Sequence, residues 1–222
     1  MPRAPSPSIP EKEFLYSSLK QSLRLDGRNT LEMRTPTLTF GPELGWVECS
    51  LGKTRVIAQV DAKMVKPPPE RPLEGIISIH SEISPMASSD YEPGRWVRHF
   101  RRPEVEVVGD EVTIHHPSER APVPLSMHHM PYCLTFAYFP DTTIAPVLDP
   151  SRLEQRLSAG LLSIALNAQR ELCVVQKAGG VPLDPNEVLR IVDIAVGKVK
   201  ELDGIVEARL KEDWAGRVVE VL

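Results

Sequence analysis

Apolar positions along this chain recur with two different periods. Phe14, Leu15, Leu19 and Leu23 fall at the three- and four-residue spacing of one helix face, which predicts a helix from Glu11 to about Leu23. Asp26-Gly27 then marks a turn. Strand-like runs at about Thr35–Phe40, Gly45–Leu51 and Thr54–Ala62 follow, with Leu51-Gly-Lys-Thr54 as the hairpin turn between the last two. Lys66-Pro-Pro-Pro-Glu-Arg-Pro72 reads as a stiff polyproline-like connector, Ile76, Ile77 and Ile79 as a further strand, and Pro85 to Gly94 as a loop rich in breakers. Glu104–Val108 and Glu111–His115 flank Gly109-Asp110, a two-residue hairpin signal. Tyr132–Phe139 and Thr143–Leu148 are the next pair of strands. The first is apolar at both alternating sets of positions, so helices are expected against the sheet on both sides.

The C-terminal third predicts two helices around a strand at Leu172–Gln176. The first helix runs from about Arg152 to Arg170, opened by a Ser151/Glu154 capping box and carrying a Leu153, Leu157, Leu161, Ile164, Ala168 stripe. The second runs from about Pro185 to Lys211, with Asp184 as cap, Pro185 first and Glu187 completing the box. Its stripe is Val188, Ile191, Ala195, Val199, Leu202 and Val206. Strand, strand, helix, strand, helix is a split α/β layer arrangement. Residues 1–10 hold four prolines and read as a disordered tail. Neither a short-period repeat nor a coiled-coil seam is present.

At 222 residues the chain holds one or two domains, and 41% hydrophobic with 25% charged residues is ordinary for a soluble globular protein. A net charge of −4 and a pI near 5.9 argue against a free-standing nucleic-acid binder, while leaving RNA contact within a larger assembly open. With 5% aromatics there is no obvious base-stacking platform. The three separated cysteines, Cys49, Cys133 and Cys173, fit a reducing compartment better than a disulfide framework or a zinc site. The first ten residues lack the apolar core of a signal peptide, and no run approaches membrane-spanning length, so an intracellular soluble protein is expected.

The candidate chemistry is sparse. Gly52-Lys53-Thr54 resembles the end of a phosphate loop, but Val47 stands where that loop needs a glycine, and the hairpin turn is favoured. Asp149 and Glu154 offer a carboxylate pair for magnesium, or complement the helix dipole at its first turn; the spacing favours capping. Gln155, next in line, supplies no charge. His115-His116 and His128-His129 each place one ring per strand face with no third ligand set by spacing, so surface or structural histidine is preferred to a metal site. Arg95, Arg98, His99, Arg101 and Arg102 form the densest basic cluster. Contact with RNA phosphates and a solvated face meeting acidic partners are both open readings of it. Gly179-Gly180 is expected to serve a positive-φ turn. No metal site, cofactor site or nucleophilic triad emerges.

Arg101 to Met130, above all Pro124-Leu-Ser-Met-His-His-Met-Pro131, resembles the stretch that joins the two halves of RNase PH-like exosome subunits. Leu25-Asp-Gly-Arg28, Leu51-Gly-Lys-Thr-Arg-Val56, Glu74-Gly75, Ser84-Pro-Met-Ala87, Glu92-Pro-Gly-Arg95, Leu148-Asp149-Pro150 and Gly179-Gly180 follow in the family's order. The resemblance covers about residues 12 to 212. It implies an α+β RNase PH fold (ribosomal protein S5 domain 2-like, two βαβα-type halves), as residues 11–120 and 121–213, with tails at 1–10 and 214–222. It also implies several dozen further residues between Arg95 and Trp96, so the N-terminal half is incomplete here. Exposed apolar faces and unpaired edges would then make that half marginal or aggregation-prone.

By the same resemblance the chain is a subunit of the hexameric exosome ring, beside other RNase PH-like subunits and beneath RNA-binding cap subunits. It would support 3′-to-5′ RNA decay and ribosomal RNA 3′-end processing in the nucleus, nucleolus and cytoplasm. Active relatives cleave RNA by phosphorolysis. Asp149 matches one acidic position, whereas Gln155 replaces a second acid, and the phosphate-holding arginines fall in the missing stretch. The implied role is therefore non-catalytic and cofactor-free, with Arg95, Arg98, Arg101 and Arg102 as the candidate RNA contacts. The alternatives are an active phosphate-dependent exoribonuclease, or a truncated regulatory form that competes for ring assembly.

Overall fold

The computed structural model describes residues 7–61, 79–82, 130–180 and 182–217. Helix α1 (Ile9–Lys20) starts at Ser8, whose hydroxyl accepts from the Glu11 amide while the Glu11 carboxylate accepts from the Ser8 amide. The helix begins two residues earlier than the periodicity predicts and stops at Lys20. Only Leu15 and Leu19 of the expected stripe are buried; Phe14 and Leu23 are 62% and 60% exposed. Ser22, at φ 57°, redirects the chain after the helix.

Strands β1 (Pro36–Phe40), β2 (Trp46–Leu51) and β3 (Thr54–Gln59) form a sheet in that order, β1 and β2 antiparallel. Gly52, at φ 63°, makes the expected turn between β2 and β3. Of the strand expected around Ile76, Ile77 and Ile79, only Ile79 is among the described residues, and it lies outside any strand. The Glu104–Val108 and Glu111–His115 hairpin lies outside the described residues.

The second sheet contains β4 (Tyr132–Tyr138), β5 (Val147–Leu148), β6 (Gly160–Leu166) and β7 (Leu172–Gly179), in the order β5-β4-β6-β7 with antiparallel neighbours throughout. β5 is shorter than expected, because Asp141 closes a turn on Thr143 where the strand was to begin.

The largest departure from the sequence reading lies at 152–170. The capping box is real: Ser151 and Glu154 exchange amide and side-chain bonds. Yet α2 (Arg152–Leu157) lasts only six residues, and the stripe assigned to Leu161 and Ile164 belongs to β6. Residues 161, 164 and 168 fit a helical period, but Leu161 to Leu166 also alternates. In the folded chain Gly160, Leu162, Ile164 and Leu166 are buried on one side while Leu161, Ser163 and Ala165 face the other. Pairing with β4 and β7 along the whole length of β6 overrides the local helical preference.

Helix α3 (Pro185–Gly216) extends five residues past its expected end. Asp184 caps it by accepting from the Asn186 amide, while Glu187, expected to complete a box, holds the Arg190 guanidinium. Ile191, Ala195, Val199 and Leu202 are buried; the outer members of the expected stripe, Val188 and Val206, are half-buried.

The two-sided burial predicted for β4 is what forms. Leu134, Phe136 and Tyr138 join Leu148, Leu162, Ile164 and Leu166 against α3. Ala137 and Phe139 join Val147 and Ile144 against Leu15 and Leu19 of α1, with Leu153 and Leu157 of α2 alongside. Gly179, at φ 103°, ends β7 where a Cβ would lie 2.5 Å from the Ala159 carbonyl oxygen, so glycine is required there on two counts.

The strand assignment of β6 makes a testable distinction. Ile164→Ala should cost about 2–5 kcal/mol of unfolding free energy, because it opens the core under α3. Ser163→Ala, which removes only a hydroxyl bonded to Thr135 on the opposite face, should cost about 1 kcal/mol. Urea denaturation of both variants measures the difference, and equal costs would contradict the alternation.

Candidate functional site

Where β5 runs into α2, three arginines from the N-terminal segment converge on two carboxylates. Arg24 follows the Ser22 bend and is 5% exposed. Its Nε and Nη2 donate to the two carboxylate oxygens of Glu154 at 3.0 and 2.8 Å. Its remaining donors go to the carbonyls of Glu32, Leu148 and Asp149, so all five guanidinium N–H groups are used. Glu154 is 1% exposed and also closes the α2 cap. A buried ion pair is tolerable only when its remaining hydrogen-bonding capacity is met in this way.

Asp149 lies beside this pair at φ 49°, a left-handed conformation that aspartate adopts more readily than most residues. Its Oδ1 accepts from Arg34 Nη2 at 2.6 Å. Its Oδ2 accepts from Arg34 Nε at 2.7 Å, Arg28 Nη1 at 2.8 Å and the Arg34 amide at 3.1 Å. Arg28 is itself paired with Asp26. Burial alone would raise the Asp149 pKa. The Arg34 hydrogen bonds, with the charges of Arg34 and Arg28, outweigh it and hold the carboxyl below its ordinary range.

This geometry corrects one sequence expectation. Glu154 does complement the start of α2, but Asp149 does not cap it; both Asp149 oxygens are taken by arginines from another part of the chain. Gln155 donates its amide to the Pro150 carbonyl. A carboxylate held ionised and enclosed by guanidinium donors suits neither proton donation nor metal ligation. Among the described residues no group of three His, Cys, Asp or Glu side chains is placed to hold a metal ion. Arg95, Arg98, Arg101 and Arg102, and the His115-His116 and His128-His129 pairs, lie outside the described residues.

Sequence reasoning missed Arg24 and Arg34. The available signal was indirect: a capping-box glutamate destined for burial needs a cation, and Arg24, Arg28 and Arg34 are spaced along one segment that has few carboxylates of its own. Nothing in the local spacing connects that segment to residues more than a hundred positions away.

The architecture, a mixed helix-and-sheet chain with a four-stranded antiparallel sheet backed by helices, matches solved exosome structures. One is described as the Archaeoglobus fulgidus exosome with RNA bound to the active site; its chain superposes with a TM-score of 0.65 at 19% identity, covering 88% of this chain and 97% of that one. A second, an archaeal exosome core, gives 0.59, also at 19% identity, over 86% of this chain and 94% of that one. These likenesses establish the fold. The model of the 3′ exoribonuclease family, domain 1, matches residues 32–110, and domain 2 matches residues 129–198. The chain belongs to the RNase PH family of 3′ exoribonucleases, and its α+β fold is the RNase PH fold expected from the sequence.

Within the family it is similar to exosome complex component RRP45 of Homo sapiens, 35% identical over 91% of this chain, and to rrp45 of Schizosaccharomyces pombe, 34% identical over 97% of this chain and 94% of the yeast protein. The chain spans 60% of the length of the human relative. These matches extend over 264 and 276 residues, more than the 222 of this chain, so several dozen positions of each relative face no residue here.

Two outcomes test the cluster. Glu154→Ala should cost about 3–5 kcal/mol, well beyond the ~1 kcal/mol of a lost cap, because it strands a buried guanidinium. Asp149 has a folded pKa below its unfolded value, so its contribution is present above about pH 4 and lost as pH falls through the folded pKa. Denaturant titrations of wild type and Asp149→Asn from pH 7 to about pH 2.5 should show the variant less stable at neutral pH and less sensitive to acid. Parallel acid limbs would contradict the depressed pKa.

Proposed function

We propose that this chain is a non-catalytic structural subunit of an RNA exosome ring that supports 3′-to-5′ RNA decay and ribosomal RNA 3′-end processing. The observation that carries this reading is the match to rrp45 of Schizosaccharomyces pombe along nearly the whole of both chains. The state of the acidic positions supports the absence of catalysis. Phosphorolysis requires charged groups free to meet phosphate and the scissile bond. Here Asp149 is enclosed by Arg28 and Arg34, and Gln155 is neutral.

In this reading the two halves of the fold are residues 11–120 and 121–213. Its neighbours are other RNase PH-like subunits in a hexameric ring, with RNA-binding cap subunits above. Arg95, Arg98, Arg101 and Arg102 contact RNA phosphates, and the protein works in the nucleus, including the nucleolus, and in the cytoplasm. No cofactor takes part. Among the described residues no helix is long and apolar enough to cross a membrane. The positions of the relatives that have no counterpart here favour a second reading, in which the chain is a short regulatory form that competes with a longer subunit for the same place in the ring.

Affinity purification of the endogenous protein decides between these readings. Recovery of RNase PH-like partners together with the peptide spanning Arg95-Trp96 supports the first if overexpressing the chain leaves ring assembly undiminished, and the second if overexpression reduces assembly. A short chain that recovers no such partners, and whose overexpression leaves ring assembly unchanged, excludes both. The purified chain should release no nucleoside diphosphates from RNA in the presence of phosphate, and Gln155→Asp should not restore release because Asp149 remains held. In the assembled complex, replacing Arg101 and Arg102 by glutamate should weaken RNA cross-linking about tenfold at low salt, and less as salt rises. Unchanged cross-linking removes these arginines from the RNA path.

A further inference from the structure

The Asp149 carboxylate rests in a cradle of donors. Arg34 presents Nε, Nη2 and its backbone amide to it, and Arg28 presents Nη1, at 2.6–3.1 Å. A guanidinium fork beside a backbone N–H takes carboxylate and phosphate oxygens alike. We infer that Arg28 and Arg34 form an oxyanion site of the phosphate-binding kind whose occupant is the chain's own Asp149, and that this built-in ligand bars phosphate from it.

The donors are held in place without that carboxylate. Arg34 donates Nη1 to the Leu51 carbonyl at 3.1 Å, and its Cδ crosses Gly52, where a Cβ would lie 3.3 Å away. Asp26 Oδ2 accepts from Arg28 Nε and Nη2 at 2.8 and 2.6 Å, and the Glu32 carbonyl accepts from Arg28 Nη1 at 3.3 Å. The backbone at Asp149 is pinned as well. Its amide donates to the Thr135 carbonyl, and its carbonyl accepts from Arg24 and Arg28. Removing the side chain therefore leaves the cradle standing.

Charge points the same way. Arg24 is matched by Glu154 and Arg28 by Asp26, so loss of the Asp149 carboxylate leaves the positive charge of Arg34 for an anion to meet. The Arg34 side chain is 31% exposed, which gives a small anion in water a way in. In the native chain the occupant is carried on the same backbone. It loses no translational freedom on binding, so free phosphate of similar intrinsic affinity does not displace it.

Calorimetric titration of the full chain with inorganic phosphate, at constant ionic strength, tests the site. Asp149→Gly empties it and keeps the backbone, because glycine adopts φ 49° freely. Asp149→Asn changes the charge equally but leaves the space filled. Asp149→Gly should gain saturable phosphate binding, with half-saturation about tenfold below that of Asp149→Asn. Adding Arg34→Gln to Asp149→Gly should abolish the gain, and the native chain should show none. Equal responses of the glycine and asparagine variants reduce the effect to net charge and overturn the site. Phosphate binding by the native chain as strong as that of Asp149→Gly overturns the barring role of Asp149. Should Asp149→Gly be unfolded in chloride, recovery of its far-ultraviolet circular dichroism in phosphate supports the site, and no recovery overturns it. None of these results bears on recovery of ring partners, so the site and the proposed function fail separately.

Discussion

The buried pair between Arg24 and Glu154 is the constraint on which the other described elements depend. A carboxylate at 1% exposure is tenable only with a cation against it, and a guanidinium at 5% exposure only with its donors filled. Meeting both conditions fixes several elements together. The β5–α2 connection must present the carbonyls of Leu148 and Asp149, the segment after α1 must turn inward at Ser22, and Glu32 must lie within reach. Arg34 and Arg28 extend the same connection to Asp149, and Arg34 reaches on to the Leu51 carbonyl at the end of β2. One ionic cluster therefore ties together the first sheet, the segment after α1 and the second sheet, while the apolar clusters on the two faces of β4 supply most of the burial.

The sequence was most legible where one signal had one physical reading. Doubly apolar β4 admits only burial on both faces, and it is covered by α3 on one side and by α1 and α2 on the other. Asp184-Pro185 starts α3 as caps of that kind do, and the buried residues of α3 are the middle of its 3.6-residue stripe. The resemblance carried by Leu25-Asp-Gly-Arg28 and the Leu148-Asp149-Pro150 segment pointed to the correct fold.

Legibility failed where two periods fit the same letters. After a genuine capping box, Leu153, Leu157, Leu161 and Ile164 extend a helix on paper, yet Leu161 to Leu166 satisfies a strand equally well, and the pairing partners decide. The ionic cluster was illegible for a different reason. Helix capping was the local reading of Asp149 and Glu154, and it is correct for Glu154. The partners that define Asp149 lie 115 and 121 positions away, a separation that no local pattern encodes.

A family fold can lose its chemistry without losing its architecture, because different groups on the same segment serve the two ends. Glu154 and Gln155 are neighbours with different tasks. Glu154 is bound into the cap and to Arg24, so a neutral replacement takes the bidentate partner from a buried guanidinium and leaves it the longer, 3.8 Å contact with Asp26. Among the described residues the Gln155 side chain hydrogen-bonds to the Pro150 carbonyl, a bond that costs little to exchange, so a charge at that position is free to be absent. Asp149 lies between these cases: it stands where the resemblance places an acid of the active relatives, but its oxygens are spent on holding Arg34 and Arg28. Those contacts are by themselves sufficient reason for an acidic side chain at this position. Retention of a catalytic-looking aspartate is thus no sign of catalysis in this chain. The informative observation is what its two oxygens already hold.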